Sequence, residues 1–375
     1  MSKWPLVRLG DVATYVNGYA FKPADWAING LPIIRIQNLN NDEAAFNYYD
    51  GVIDSRYIVN NGDILISWSA SLGVFVWNKG EAILNQHIFK VVFNKLKIDK
   101  SYFKYAIRKI LDNMLLQTHG STMKHIIKSR FDNMKITFPP DDVQKHIANT
   151  LDKIQEIIDG HKKQLEELDY LIKATFYEMF GDPVTNEKDW SLLQLSKLGQ
   201  LGRGVSKHRP RNAPELLGGG YPLIQTGDVA NSDLYINEYT QTYSELGLRQ
   251  SKMWPKGTLC ITIAANIART AILGFDACFP DSVVGFYANG KTNNIFVHFW
   301  FSFFQAILEA QAPESAQKNI NLRILNDLKV INPPLDLQNK FAEIVTKIEE
   351  DKALVKQAIT ESEHLFNSLM SEYFD

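Results

Sequence analysis

The chain has 375 residues, 45% of them hydrophobic, enough for two or three domains with cores of their own. Lys and Arg number 40 against 42 Asp and Glu, and the formal net charge of −2 argues against a uniformly basic nucleic-acid binder. Two cysteines, Cys260 and Cys278, exclude a disulfide framework and show no metal-ligand spacing. The opening MSKWPLVRLGDV lacks an apolar signal core, and no apolar run approaches the roughly 18 residues of a membrane span, so a soluble, cytoplasmic protein is expected.

In chain order, residues 5–9 read as a short strand and are followed by a polar loop holding Asn17-Gly18-Tyr19 and Phe21-Lys22. Residues 32–36 read as a buried strand with Arg35 near its end, then a polar turn over 37–42 that includes Asn38. Residues 62–68, 74–77 and 88–93 are strand-like, and 102–118 have helical period. Short strands mixed with one helix indicate an α+β domain of about 140 residues. Then Pro139-Pro140 opens a long run in which Ile147, Leu151, Ile154, Ile158, Leu165, Leu168, Ile172 and Met179 keep a 4-3 spacing, with His161 and Thr175 on the same seam. A seven-residue repeat sustained this far predicts one long helix of about 58 Å with a coiled-coil seam.

The remainder repeats that plan. A loop rich in Arg203, Lys207, His208, Arg209 and Arg211 precedes expected strands at 223–225, 258–263, 270–273 and 283–287 and a helix at 296–311. Pro333-Pro334 follows the first Pro-Pro pair by 194 residues. The seam then returns at the same offset as Phe341, Val345, Ile348, Val355, Ile359, Phe366, Leu369 and Tyr373, with Lys352 and Ser362 as polar exceptions. Gln144 matches Gln338, Lys124 matches Lys318, and Trp4 matches Trp190. The chain is therefore a duplication, with boundaries at 1–138, 139–182, 183–332 and 333–375. Antiparallel packing of the two long helices would relate the halves by a pseudo-two-fold axis.

Charge follows the same partition. Residues 1–138 carry 17 basic and 11 acidic side chains, and 183–332 carry 14 and 12. The helical segments carry 5 against 10 and 4 against 9. Globular parts that meet phosphate and helices that meet protein would show this split, as would long exposed helices with no partner at all.

Few motifs carry chemistry. Asn332-Pro333-Pro334-Leu335 resembles the loop of adenine methyltransferases but lacks the aromatic fourth residue that stacks on a flipped base. No glycine-rich turn marks a place for a methyl donor. Gly218-Gly219-Gly220 lacks the Lys-Ser/Thr of a phosphate loop and reads as a flexible turn. Pro280-Asp281 has no downstream acidic-x-Lys partner for a nuclease site. The polar loops are rich in Arg, Asn and Gln, the side chains that pair bidentately with guanine and adenine edges.

Taken together, YPLIQTGDV, WPKGTLCITIAANIARTAIL, ACFPDSVVGF, AQKNIN and the Pro-Pro-x-x-x-Gln opening of each long helix resemble the specificity subunits of Type I restriction-modification systems, the HsdS family. The resemblance implies two target recognition domains, each reading half of a split site in double-stranded DNA. It also implies two long antiparallel coiled-coil helices that space the domains and dock two methyltransferase subunits, with restriction subunits joining the assembly. S-adenosylmethionine and ATP/Mg would then belong to the partner subunits, with no cofactor and no catalytic residue in this chain. The candidate DNA contacts are Arg203, Lys207, Arg209, Arg211, Gln225, Asp228, Asn266 and Arg269 in the second half. In the first half they are Asn17, Tyr19, Lys22, Arg35, Asn38, Trp68 and Ser69. Lys124 and Lys318 would approach the backbone. The halves diverge where Gln37-Asn38 faces Gly227-Asp228 and where Ser67-Trp68-Ser69 faces Thr262-Ile263-Ala264, as expected if they read different sequences. An adenine methyltransferase using Asn332 and a coiled-coil adaptor with no DNA role remain the alternatives.

Overall fold

The computed structural model describes residues 4–69, 71–117, 127–264, 267–304, 307 and 320–375. The chain divides into two compact units, Met1–Lys162 with Ala358–Asp375, and Lys163–Gln357. The class is α+β.

In the first unit, Thr14–Asn17, Ile88–Val92, Ile64–Ser67 and Gly73–Val76 form an antiparallel sheet. A second sheet has the order Asn47–Tyr49, Leu31–Ile34, Ala82–Leu84, Ile58–Val59, with a parallel central pair. Ile64–Ser67 is buried along its whole length because both its faces are covered. Ile64 and Ile66 pack with Tyr102, Phe103, Ala106 and Ile107 of helix Lys100–Gln117. Leu65 points the other way, into a cluster with Ile34, Val59, Ala82 and Leu84 of the second sheet.

The second unit repeats this construction. Gly199–Arg203, Val283–Ala288, Leu259–Thr262 and Thr270–Leu273 keep the same neighbour order, and Tyr235–Ile236 adds a fifth strand. The other sheet runs Gln241–Tyr243, Leu217–Leu223, Ala277–Cys278, Met253–Trp254. Leu259 and Ile261 face helix Asn294–Phe301, while Cys260 faces the other sheet. The glycine triplet is not a flexible turn. It lies inside strand Leu217–Leu223, where the register against Gln241–Tyr243 shifts between Leu217 and Tyr221. A side chain at Gly219 would meet the Tyr243 carbonyl at 2.4 Å, so the bulge packs backbone against backbone. Strand 32–36 ends at Ile34, and the polar turn after it is a short helix, Ile36–Asn40.

The long helices are Asp141–Phe180 and Leu335–Phe374, 40 residues each. Both follow a Pro-Pro pair, and both start with acidic residues that suit the positive end of a helix: Asp141, Asp142 and Asp336. Gln144 and Gln338, each almost wholly buried, perform one task twice. Gln144 Nε2 donates to the Pro139 carbonyl and its Oε1 accepts from Asp99 N–H. Gln338 Nε2 donates to the Pro333 carbonyl and its Oε1 accepts from the Thr292 hydroxyl.

Within the first unit, Ile147, Leu151, Ile154 and Ile158 share a core with Phe366 and Met370. Within the second, Ile172 shares a core with Phe176, Phe180, Phe341, Val345 and Ile348, and Leu168 borders it. There the helices run antiparallel, since Asp169 pairs with Lys352 while Phe176 and Phe180 meet Phe341. Val355 is buried, whereas Leu165 and Ile359 are only half-buried and belong to neither cluster. The strict seam is therefore corrected. A straight α-helix drifts against a seven-residue repeat, so the buried face passes from Ile172 to Phe176 and Phe180, at four-residue steps, rather than to Met179 alone.

Candidate nucleic-acid interface

Each unit presents the same three-part surface. The first part is a capped turn. Arg35 precedes helix Ile36–Asn40, and its N–H donates to Asn38 Oδ1 at 3.1 Å. Gln225 precedes helix Thr226–Asn231, and its N–H donates to Asp228 Oδ2 at 2.7 Å. Asn38 and Asp228 thus satisfy backbone donors at helix starts rather than face a base. Asn38 is 1% exposed and also donates to the Ala44 and Ala45 carbonyls. As a base-contacting residue Asn38 is therefore corrected to a scaffold residue, and Asp228 holds the same position in the second unit.

Capping orients what precedes it. Arg35 Nη1 donates to Asn47 Oδ1 at 2.9 Å, and its guanidinium lies 5.7 Å from the Trp26 ring. Gln225 Nε2 donates to Gln241 Oε1 at 3.2 Å. Asn47 lies opposite Ile33 and Gln241 opposite Leu223, two residues before Arg35 and Gln225 respectively, so the two polar pairs are equivalent.

The second part is a turn between strands, Asn85-Gln86-His87 in the first unit and Pro280-Asp281-Ser282 in the second. Trp68 N–H donates to the His87 carbonyl at 3.2 Å, and Ile263 N–H donates to the Ser282 carbonyl at 3.0 Å. His87 holds a left-handed backbone with φ of 72°, a conformation that side-chain-bearing residues adopt sparingly and that clusters at functional turns.

The third part is the polar loop pressed onto that turn. A side chain at Gly18 would lie 2.0 Å from the Asn85 carbonyl oxygen, and one at Gly204 would lie 2.3 Å from that of Pro280. Only glycine lets the two backbones touch there. In the first unit the loop brings exposed Asn17, Tyr19 and Lys22 beside the turn. Trp68 Nε1 donates to Asn17 Oδ1, its ring stacks on Phe89 at 5.5 Å, and Tyr19 meets Phe21 and Tyr57 edge-on. Phe21, Trp26, Arg35, Gln37, Gln86 and His87 line a 340 Å³ hollow. Ser69 is buried, which removes it from direct base contact.

In the second unit the loop carries cations. Arg203, Lys207, Arg209 and Arg211 are all exposed. Arg203 Nε donates to the Asp281 carbonyl, Arg211 pairs with the Asp281 carboxylate, and Arg209 Nη2 lies 3.6 Å from it. Arg269 is exposed too, but it lines a 480 Å³ cavity with Asp169, Asp233, His298, Glu349 and Lys352. Burial, reinforced by Lys352 and opposed by Asp233, pushes the His298 imidazole down to about 4, and Thr270 shares a hydrogen bond with its Nδ1 at 3.0 Å. Lys352, 5% exposed, also loses by burial, yet its bonds to Asp169 and Glu349 outweigh that and hold its ammonium above the ordinary lysine value. Lys124, Asn266 and Lys318 lie outside the described residues.

Asn332 does not present its amide. Its N–H donates to the Ser191 carbonyl, and its side-chain oxygen is buried with no hydrogen-bond partner. Among the described residues no group of three or more His, Cys, Asp or Glu could hold a metal ion, and no helix is long and apolar enough to cross a membrane.

The family described as the Type I restriction modification DNA specificity domain matches residues 1–170 and again 187–364. The chain belongs to this family. The two matches cover both copies of the three-part surface. The specificity subunit of the EcoBI Type I restriction enzyme of Escherichia coli is 24% identical over 410 residues, spanning 99% of this chain and 85% of that protein. The MjaVIII specificity subunit of Methanocaldococcus jannaschii is 28% identical over 219 residues, covering 54% of this chain and 50% of the relative. Among solved structures, the S subunit of a Type I restriction-modification system from M. genitalium superposes with a TM-score of 0.61 at 14% identity, covering 100% of this chain and 96% of that one. That likeness shows a shared specificity-subunit fold.

Proposed function

We propose that this chain is the DNA-recognition subunit of a Type I restriction-modification complex and reads a bipartite target, one half-site per globular part. Residues 1–138 and 183–332 are the two target recognition domains, and 139–182 and 333–375 are antiparallel spacer helices that join them. One observation carries this reading: the same capped turn, strand turn and glycine-pinned loop occur twice, with different polar side chains on each copy. A duplicated frame with unlike heads suits a protein that reads two unlike sequences. Arg35 with Asn47, and Gln225 with Gln241, supply base-edge chemistry, while Lys22, Lys207, Arg209 and Arg211 supply phosphate contacts.

The helices carry the docking role. Ile157, Tyr170, Leu171 and Tyr177 on the first and Ile344, Leu354 and Leu365 on the second stay exposed, apolar surface that partner helices would cover. Two methyltransferase subunits would dock there and bring S-adenosylmethionine. Restriction subunits would bring ATP/Mg and cleavage. This chain itself is non-catalytic, a role to which the enclosed Asn332 amide is suited, and it works in the cytoplasm where its DNA lies.

The test is methylation mapping of DNA from cells expressing the chain with its cognate methyltransferase subunit. The expected result is a split adenine-methylated motif, with one half changing when residues 1–138 are exchanged and the other when 183–332 are exchanged. An intact complex that yields no motif sinks the reading.

A further inference from the structure

Asp281 occupies, in the strand turn of the second unit, the position that Gln86 holds in the first. Three arginines converge on it, Arg203 from the end of strand Gly199–Arg203 and Arg209 and Arg211 from the loop that follows. Arg203 reaches its backbone carbonyl, Arg211 one carboxylate oxygen and Arg209 the other, and Arg209 Nη1 is further held by the Ser206 and His208 carbonyls at 2.6 and 2.8 Å. The carboxylate is 27% exposed, but the Arg209 and Arg211 side chains are 55% and 46% exposed. Ion pairs that wet contribute little to stability, so folding alone does not account for the arrangement. Its physical effect is on the arginines. Beside one carboxylate the three guanidinium groups keep a net charge near +2 instead of +3.

We propose that Asp281 is a specificity-determining positioning residue. Its carboxylate pairs with Arg211 and faces Arg209 at 3.6 Å, beside Arg203 on the backbone carbonyl, and so withholds part of the fan's charge, so that phosphate engages only in the register that base contacts impose. A free fan would take hold of any duplex. This inference rests on the DNA-reading role proposed above.

The experiment uses the full chain in complex with its methyltransferase subunit. Binding to a duplex carrying the mapped motif and to a scrambled duplex is measured across a series of salt concentrations. Asp281→Asn is expected to tighten scrambled-duplex binding several-fold, to cut the specific-to-scrambled ratio by about tenfold, and to steepen the log-log salt dependence by about one, the release expected for one added phosphate contact. Asp281→Glu should restore much of the ratio. If Asp281→Asn fails to fold, Arg211→Gln tests the same fan from its other side. It should weaken both duplexes together and make the salt dependence shallower by about one. A folded Asp281→Asn complex with unchanged ratio and slope overturns the proposal alone, as does an Arg211→Gln complex with an unchanged slope. A wild-type complex that does not discriminate the two duplexes overturns the recognition role and this proposal with it.

Discussion

Gln86 and Asp281 occupy the same turn on the same frame, yet one sits beside Trp26, Phe21 and Arg35 and the other beside three arginines. Likewise Arg35 and Gln225 both precede a capped helix, and both reach a polar residue on the neighbouring strand, Asn47 or Gln241. The same backbone groups are held in the two units by Asn38 and Asp228, by Gly18 and Gly204, and by Gln144 and Gln338. Groups that hold backbone are thus separate from groups that meet the solvent, and the second set can change without disturbing the first. That separation allows one fold to serve two half-sites.

Exchanging scaffold residues between units is the severest way to break this comparison. Asn38→Asp would turn two donated bonds into a carboxylate facing the Ala44 and Ala45 carbonyls in a buried site. The expected cost is about 3 kcal/mol of stability, read by chemical denaturation. The reciprocal Asp228→Asn keeps an oxygen for the Gln225 N–H in a more open place and should cost under about 1 kcal/mol. Equal losses would mean that the two capped turns are not built as argued.

Next in size is the effect on reading. Arg35→Ala removes a guanidinium held by Asn47 and Trp26 without touching the cap, in which the residue-35 backbone N–H donates to Asn38 Oδ1. Discrimination should fall by roughly 1–3 kcal/mol at one position of one half-site, with the other half-site unaffected. Methylation mapping would register this as degeneracy at a single base. Degeneracy in both halves would contradict the assignment of one half-site to each unit.

Much of this was legible in the sequence, and the failures have physical reasons. The 194-residue offset exposes the duplication and the Pro-Pro-x-x-x-Gln helix starts because those are local backbone devices with recognisable residues. The capped turns were hidden because Arg35 and Gln225 are not usual capping residues. The cap comes from the third helical position, so Asn38 passes for an exposed reader. Asn47 and Gln241 stay hidden because the spacing from Arg35 to Asn47 is 12 residues and from Gln225 to Gln241 is 16, and only the strand pairing brings each opposite its partner. The arginine fan could not be foreseen in the same way. Asp281 follows Arg211 by 70 residues, and only the folded sheet brings them together.

Acid separates the units more gently. In the second, His298 is neutral, its value depressed to about 4 by burial first and Lys352 second. A depressed imidazole contributes stability that is complete above its unfolded value near 6.5 and is lost as pH falls through the window from there to about 4. In the first unit the partly buried titratable contact is Asp152 with Tyr105 and Lys104. Burial opposes the Asp152 charge, but the bonds from Tyr105 and Lys104 prevail and keep it below the ordinary carboxylate value. Its contribution is therefore present above about 4 and is lost only as pH falls through the still lower folded value. Between pH 7 and 5 the second unit should lose up to about 2 kcal/mol from His298 while the first loses nothing from Asp152. Hydrogen exchange resolved along the chain at the two pH values would show faster exchange in strand Thr270–Leu273 and helix Asn294–Phe301 but not in Lys100–Gln117. A His298→Phe variant should lack the difference. Equal acceleration in both units would place the acid sensitivity elsewhere and remove His298 from the account.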